Sequence, residues 1–307
     1  MYDLLIIGGG PGGVSAGVYA SRKQLKTVLV AEEWGGQSVV SSEIQNWIGT
    51  IAIPGADLAK AFENHLKAYA GDTVIIKHGV RVTAVSKSSE GFSATLSNGE
   101  LVDAKAVLIT TGSSRRKLEI PGAAELDHKG LTYCATCDGP IFAGQDVVVI
   151  GGGNAAFETA AQLLAYAKSV TLMNRSAEFR ADPVTVGKLQ EHPSMRIINN
   201  AVPTCVHGEK FVSGLAYKDT LTGEEHELKV GGIFVEIGLL PNTGFLGDVV
   251  KLDAHQRVEI DPWTQQTSTP GVWAAGDCTN IKYHQNNISS GDAVKALEDI
   301  YVHLKTK

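Results

Sequence analysis

Short apolar runs that end abruptly in glycine punctuate this chain. Residues 4–7 run Leu-Leu-Ile-Ile into Gly8, Gly9 and Gly10, and residues 147–150 run Val-Val-Val-Ile into Gly151, Gly152 and Gly153. After each glycine cluster the apolar positions spread to helical spacing, over residues 14–21 and 157–167. Each amphipathic stretch leads to another apolar run, residues 27–31 and 170–173. The pattern predicts strand, tight turn, helix and strand, twice over. Residues 3–13 recur as residues 146–156, an offset of 143.

Between the copies, residues 80–86, 92–96 and 100–102 predict a small antiparallel meander with a turn at Asn98-Gly99. Residues 107–112 predict a buried strand. Beyond the second copy, residues 212–218 and 225–229 flank Thr222-Gly223 as a hairpin. Residues 232–238 predict another buried strand. A strand at 272–277 follows the turn Thr269-Pro270-Gly271, and residues 290–304 predict a closing helix. Turn residues and charges interrupt the apolar runs near residues 113–117 and 241–243, where domain joints are expected.

A glycine cluster between a strand and a helix is the βαβ signature of a dinucleotide-binding fold. Gly8, Gly10 and Gly13 fill its three glycine positions, with Pro11 at the helix start; in the second copy they are Gly151, Gly153 and Ala156, with Asn154 and Ala155 between. The first position permits the tight turn, the second lets backbone approach a pyrophosphate, and the third must be small for helix–strand packing. The helix N-terminus offers free N–H groups to phosphate. Glu32 closes the next strand, near the spacing of about 20 residues at which an acid meets ribose hydroxyls. A solvated Glu32-Glu33 pair is the alternative. The repeat offset carries Glu32 onto Arg175, and Arg180 lies nearby. An acid in one copy and an arginine in the other is the expected mark of a ribose 2′-phosphate, hence NADPH, at the second site. Solvated surface charges are the alternative for both arginines.

Length and composition narrow the class. The 307 residues suit about two domains of roughly 150 each, and 43% hydrophobic with 20% charged residues is ordinary for a globular chain. The net charge of −6 argues against nucleic acid and anionic membrane surfaces as partners. No apolar run reaches the length of a membrane span, and the first residues lack the basic region of a signal peptide, so a cytoplasmic protein is expected. Four cysteines are too few for a disulfide scaffold. Cys134 and Cys137 form a Cys-x-x-Cys pair, which fits a redox disulfide, half a zinc site or two inert thiols. Asp138 follows as either an acid/base or a helix cap. Cys205 and Cys278 are expected to be buried structural thiols.

Two nucleotide folds with Cys134-Ala-Thr-Cys137-Asp138 between them make a specific combination. The chain resembles the low-molecular-weight, bacterial-type thioredoxin reductases over nearly its whole length. Gly35-Gly36-Gln37 and Asn46-Trp47 resemble that family's flavin-contacting segment. Thr110-Thr111-Gly112 resembles its strand end, and residues 274–277 resemble the motif whose aspartate, here Asp277, holds the flavin ribityl chain. Gln285 resembles a segment over the isoalloxazine, and His284 stands where the family usually has arginine. Tyr133, residues 137–140, 232–242 and 276–279 look more like the flavoprotein subunit of alkyl hydroperoxide reductase. That relative carries a further N-terminal domain with its own Cys-x-x-Cys, which is not expected in this chain because it opens on the first strand.

The resemblance implies an α/β fold of two Rossmann-like domains of the three-layer ββα type, the second inserted into the first. Residues 1–114 and 243–307 would hold FAD, and residues 115–242 would hold the pyridine nucleotide and the Cys pair. It implies electron flow from NADPH, with NADH possible, through FAD and Cys134–Cys137 to thioredoxin or a similar dithiol protein. It further implies a homodimer, and a hinge rotation of the nucleotide domain during turnover. Reduction of a peroxiredoxin or glutaredoxin-like carrier, or a ferredoxin-driven enzyme with a weakened nucleotide site, are the alternatives. The family pattern His-Arg-Arg-x-x-x-Arg appears as Asn174, Arg175, Ser176 and Arg180, so a weaker NADPH preference is expected.

Overall fold

The computed structural model describes residues 1–41 and 43–305. It divides into two compact units, one of residues 1–114 with 240–307 and the other of residues 115–239. The chain opens with β1 (Tyr2–Gly9), α1 (Pro11–Arg22), β2 (Thr27–Trp34), α2 (Gly55–Ala70) and β3 (Val74–His78). β4 (Val82–Ser88), β5 (Gly91–Leu96) and β6 (Leu101–Ile109) follow, and β7 (Ser113–Arg115) leads into the second unit.

The first sheet runs β3-β2-β1-β6-β5-β4. β1, β2, β3 and β6 are parallel, while β4 and β5 are antiparallel. The apolar run of β1 is continuous because both its faces are covered. Leu4 and Ile6 enter a core with α1 and α2 residues such as Val14, Leu58 and Leu66. Leu5 and Ile7 enter a second core with Phe92, Leu96 and Val102 of the meander. The meander's last strand and the buried strand expected at residues 107–112 are one strand. β6 pairs with β5 over its first residues and with a later parallel strand over Val107–Ile109. Its burial accordingly changes from alternating to continuous. α2 and β3 belong to a stretch that the glycine turns do not announce.

The second unit holds β8 (Leu131–Thr132), α3 (Ala135–Asp138), β9 (Asp146–Ile150), α4 (Asn154–Leu163), β10 (Ser169–Met173), α5 (Pro183–Gln190) and β11 (Met195–Ile198). It continues with β12 (Ala201–Gly208), β13 (Val212–Asp219), β14 (Glu225–Leu228) and β15 (Gly232–Val235). β11-β10-β9-β15-β8 form an all-parallel sheet. Val147 and Val149 pack with Phe157 and Leu163 of α4, and Val148 and Ile150 pack with residues of the antiparallel β12-β13-β14 sheet. The expected hairpin at 212–229 is thus two strands of three. The expected helix at 157–167 starts earlier, at Asn154, and gives way to turns after Leu163.

The chain returns through β16 (Leu239–Pro241) to β17 (Val272–Ala274), which joins the first sheet beside β6, and to α6 (Asn286–Lys305), which packs on α1. The second joint falls slightly before the expected 242/243. Asn242 explains the difference. Its amide N–H donates to the Gly112 carbonyl at 3.0 Å and its side chain donates to the Thr111 carbonyl at 3.0 Å, which ties it to the first unit. Each unit therefore has a meander or small sheet, a parallel sheet and a helical layer. No helix among the described residues is long and apolar enough to cross a membrane.

Candidate functional site

In the first unit, Gly8 has φ of +124°, and a Cβ there would lie 2.4 Å from the Thr110 carbonyl oxygen. A Cβ on Gly13 would lie 1.9 Å from the Gly8 carbonyl oxygen. Both positions are closed by protein. Gly10, between them, has no atom within 4 Å of its would-be Cβ, so the second glycine faces open space at the start of α1, where Pro11 opens the helix. Gly36 approaches this opening, its would-be Cβ 3.7 Å from Gly10 Cα. Glu32 is exposed near the end of β2, whose Trp34 pairs with Gly9, and its carboxylate lies 3.9 Å from Arg81.

The start of α6 gathers most of the other residues expected around a flavin. Asn46 donates its side-chain N–H to Gln285 Oε1 at 3.2 Å, and Asn287 donates to the Asn46 carbonyl at 2.7 Å. Gln37 donates to the Ser113 carbonyl and, at 3.3 Å, to its hydroxyl. Asp277, just beyond β17, accepts from Ser289 at 3.3 Å. His284 is half-buried immediately before this cluster. Thr111, past the end of β6, donates its hydroxyl proton to the Asn242 carbonyl at 2.7 Å, and Gly112 has φ of +63°.

In the second unit Cys134 and Cys137 form a disulfide with Cα atoms 5.3 Å apart. Cys134 itself caps α3, its sulfur accepting the Cys137 N–H at 3.2 Å. The capping alternative for Asp138 therefore fails: it ends the helix and caps nothing through its side chain. Its carboxylate instead accepts from the Thr132 hydroxyl on β8. Burial pushes its pKa above the ordinary carboxylate value, while the Thr132 hydrogen bond and nearby His128 pull the other way. Tyr133 is pushed up to about 12 by burial and by Asp127.

The second glycine turn repeats the first. Gly151 has φ of +152° with a would-be Cβ 2.4 Å from the Glu236 carbonyl oxygen, and Gly153 has nothing within 4 Å. Ala156 is fully buried, as the third position requires, and Ala155 is exposed. Asn154 accepts the Asp182 N–H at 2.7 Å. Arg175 and Arg180 are both exposed on the segment after β10. Buried Asn174 shapes that segment, donating to the carbonyls of Ser176 at 2.7 Å and Glu178 at 3.0 Å. The Arg180 N–H donates to the Gly152 carbonyl at 2.8 Å, so the arginine segment and the glycine turn are fastened together.

Sequence reasoning does not find Thr132, His128, Ser289 or Glu236. Hydroxyls such as Thr132 and Ser289 are too common to stand out. Glu236 does carry a signal: it is the lone acid in the apolar run of residues 232–238. It accepts from Thr159 of α4 at 2.8 Å and from Arg115 at 3.3 Å. Burial pushes its pKa up, and Arg115 and Thr159 oppose the shift. Cys278 is fully buried, as expected, and its thiol is pushed up to about 11 by burial. Cys205 differs from expectation: it is only half-buried, because a bulge in β12 turns it away from the core.

The geometry has known counterparts. Residues 2–291 match the model of the pyridine nucleotide-disulphide oxidoreductases. The F subunit of alkyl hydroperoxide reductase in Staphylococcus aureus is 42% identical over 295 residues, covering 96% of this chain and 57% of that protein. Its counterpart in Pseudomonas putida, of the same name, is 41% identical, covering 99% of this chain and 58% of that protein. The chain thus spans a little under three-fifths of the length of these relatives. Thioredoxin reductase from Giardia duodenalis has a TM-score of 0.91 at 32% identity, with 99% and 98% of the two chains covered. Thioredoxin reductase from Streptococcus pyogenes has a TM-score of 0.90 at 30% identity, covering 100% and 99%. With two glycine turns, a Cys-x-x-Cys disulfide and this likeness along its length, the chain belongs to the pyridine nucleotide-disulphide oxidoreductase family.

Proposed function

We propose that the chain is a flavin-dependent disulfide reductase that passes electrons from NADPH, through FAD and the Cys134–Cys137 disulfide, to thioredoxin. The disulfide beside the half-buried Asp138 carries this reading. The cradles fit the two cofactors. Gly10 and Gly153, the positions that must admit a pyrophosphate, are the open ones in their turns, while Gly8, Gly13 and Gly151 are closed by protein. When bound, FAD supplies hydride acceptance from the nicotinamide and two-electron reduction of a disulfide.

The chain's own residues do the rest. Gly8, Gly10, Pro11 and Gly13 aim the α1 N-terminus at a pyrophosphate, and Glu32 accepts from ribose hydroxyls. Gly36, Gln37, Asn46, Thr111, Gly112, Asp277, His284 and Gln285 line the flavin. Gly151, Gly153, Asn154, Ala155 and Ala156 repeat the arrangement for NADPH, with Arg175 and Arg180 on its 2′-phosphate. Reduction breaks the Cys134–Cys137 bond and takes up two electrons and two protons. Asp138, whose raised pKa keeps a proton available nearer neutrality, donates to the leaving thiolate and recovers the proton when the pair is reoxidised. A homodimer in the cytoplasm completes this reading.

The identity of 41–42% with the alkyl hydroperoxide reductase relatives favours a second reading, in which the partner is a peroxiredoxin. Anaerobic titration with NADPH, and separately with NADH, should bleach the flavin, and the reduced enzyme should then reduce thioredoxin. A bleached enzyme that reduces a peroxiredoxin and leaves thioredoxin oxidised moves the assignment to the second reading. Absence of bleaching by either nucleotide overturns both.

A further inference from the structure

The bulge that turns Cys205 outward assembles a small reactive cluster on the open face of the β12-β13-β14 sheet. Pro203 of β12 pairs with Tyr217 of β13, yet Cys205 pairs with Ala216, so one residue is extra on the β12 side. Without it Cys205 would stand opposite Leu215, which is fully buried on the core face. With it, Val206 takes the place opposite Leu215, and Cys205 and His207 share the other face. Ala216 in turn pairs with Glu227 of β14, so Cys205, Ala216 and Glu227 form one row across three strands. His207 pairs with Gly214, and the two small residues of β13 leave room for its ring.

The side chains use that room. Cys205 Sγ lies 3.8 Å from His207 Nδ1, and His207 Nε2 lies 3.4 Å from Glu227 Oε1. A thiol against one nitrogen of an imidazole, whose other nitrogen faces a carboxylate, is the arrangement that activates a nucleophile. Cys205 is half-buried, and the His207 and Glu227 side chains beside it are 41% and 74% exposed. None of these residues has a part in the electron path proposed above.

We infer that Cys205 is a thiolation site, at which low-molecular-weight disulfides exchange with the protein thiol. His207 accepts the proton of the Cys205 thiol as the sulfur attacks one sulfur of the small disulfide. The small disulfide's S–S bond breaks, a mixed disulfide forms on Cys205, and the departing thiolate takes the proton from His207. Protein thiol and small disulfide give mixed disulfide and small thiol, with no net gain or loss of electrons. The Glu227 carboxylate, 3.4 Å from Nε2, favours a cationic reagent.

The test uses the full chain with Cys134–Cys137 oxidised, where Cys278 is buried and Cys205 is the accessible thiol. Incubation with cystamine at neutral pH should place one adduct on Cys205, followed by intact mass and peptide mapping. His207→Ala should slow the reaction roughly a hundredfold, the lower end of what a positioned base contributes. Glu227→Gln should slow it less, and Cys205→Ser should abolish the adduct. The native chain should also react faster than Cys205 in the same chain unfolded in guanidinium. Equal rates in wild type and His207→Ala, no advantage of the native over the unfolded chain, or labelling at Cys278 would each overturn the inference.

Discussion

The two glycine turns separate positions that hold the fold from positions that hold a ligand, and a pair of alanine substitutions tests the distinction. Gly10 has φ of −78° and ψ of −174°, which alanine adopts without strain, and its would-be Cβ meets nothing. Loss of glycine at this helix cap costs about 0.5–1 kcal/mol. The gain from a less flexible unfolded chain is about 0.4–1 kcal/mol. The two offset, so Gly10→Ala should leave the flavin-free protein within about 0.5 kcal/mol of wild type. The new methyl nevertheless occupies the pyrophosphate approach. Losing one charge-assisted backbone contact there is worth about 1.5–3 kcal/mol, roughly ten- to over a hundredfold in flavin affinity. Gly13→Ala reverses the outcome. Its Cβ would sit 1.9 Å from the Gly8 carbonyl oxygen, and relief requires the strand and helix to separate. Such overpacking costs roughly 3 kcal/mol or more, or about 6–12 °C in melting temperature for a unit of this size. Melting of the flavin-stripped proteins, with FAD titrations followed by fluorescence, measures both quantities. Wild-type flavin affinity in Gly10→Ala, or an equal loss of melting temperature in the two variants, would refute the reasoning.

Three further outcomes are expected. Cys134→Ser and Cys137→Ser should each abolish reduction of the partner disulfide yet leave flavin bleaching by NADPH intact in stopped-flow absorbance, whereas Cys205→Ser should turn over normally. Arg175→Ala should raise the NADPH Michaelis constant roughly tenfold or more, on the scale of one charge-assisted phosphate contact, and leave NADH nearly unchanged; an unaltered ratio of the two constants would remove the 2′-phosphate role. Asp138 has a folded-state pKa above its ordinary value, so its favourable contribution is full at low pH and is lost as pH rises through the folded pKa. Asp138→Asn should therefore stabilise the chain at neutral pH relative to wild type, show no such gain at about pH 4, and lower turnover; denaturant titrations at the two pH values with steady-state assays check all three.

The parallel strands were legible because burial on both faces leaves no polar position to blur them: Leu4 and Ile6 serve one core, Leu5 and Ile7 the other. α2 was less visible although Leu58, Phe62 and Leu66 line one face, because Pro54 precedes it and no side chain caps it. Spacing marked Cys134 and Cys137 as a pair but left its chemistry open until the family resemblance implied a redox disulfide, whereas Arg175 came from the repeat. What holds them did not. Thr132 meets Asp138 across a turn between β8 and α3, and Asn174 meets the carbonyls of its own loop, contacts that only folded coordinates fix. The outward turn of Cys205 depends on a single bulged residue, and strand alternation alone places its side chain on the wrong face.

The interrupted first unit sets an order on synthesis. Its sheet needs β17 beside β6, and its helical layer needs α6 against α1. Trp273, Ala293, Leu297 and Ile300 complete the core that Leu4, Ile6 and Val14 begin. The second unit is one unbroken stretch and can close as soon as residues 115–239 have left the ribosome. β1 and α1, made before the second unit, are therefore finished after it. At about 5–20 residues per second, the apolar side of β1 and α1 waits roughly fifteen to sixty seconds for its cover. During that interval Val107–Ile109 of β6 lack their β17 partner and expose an unpaired edge, so slowing translation beyond residue 240 should cost more soluble protein than slowing it before residue 115.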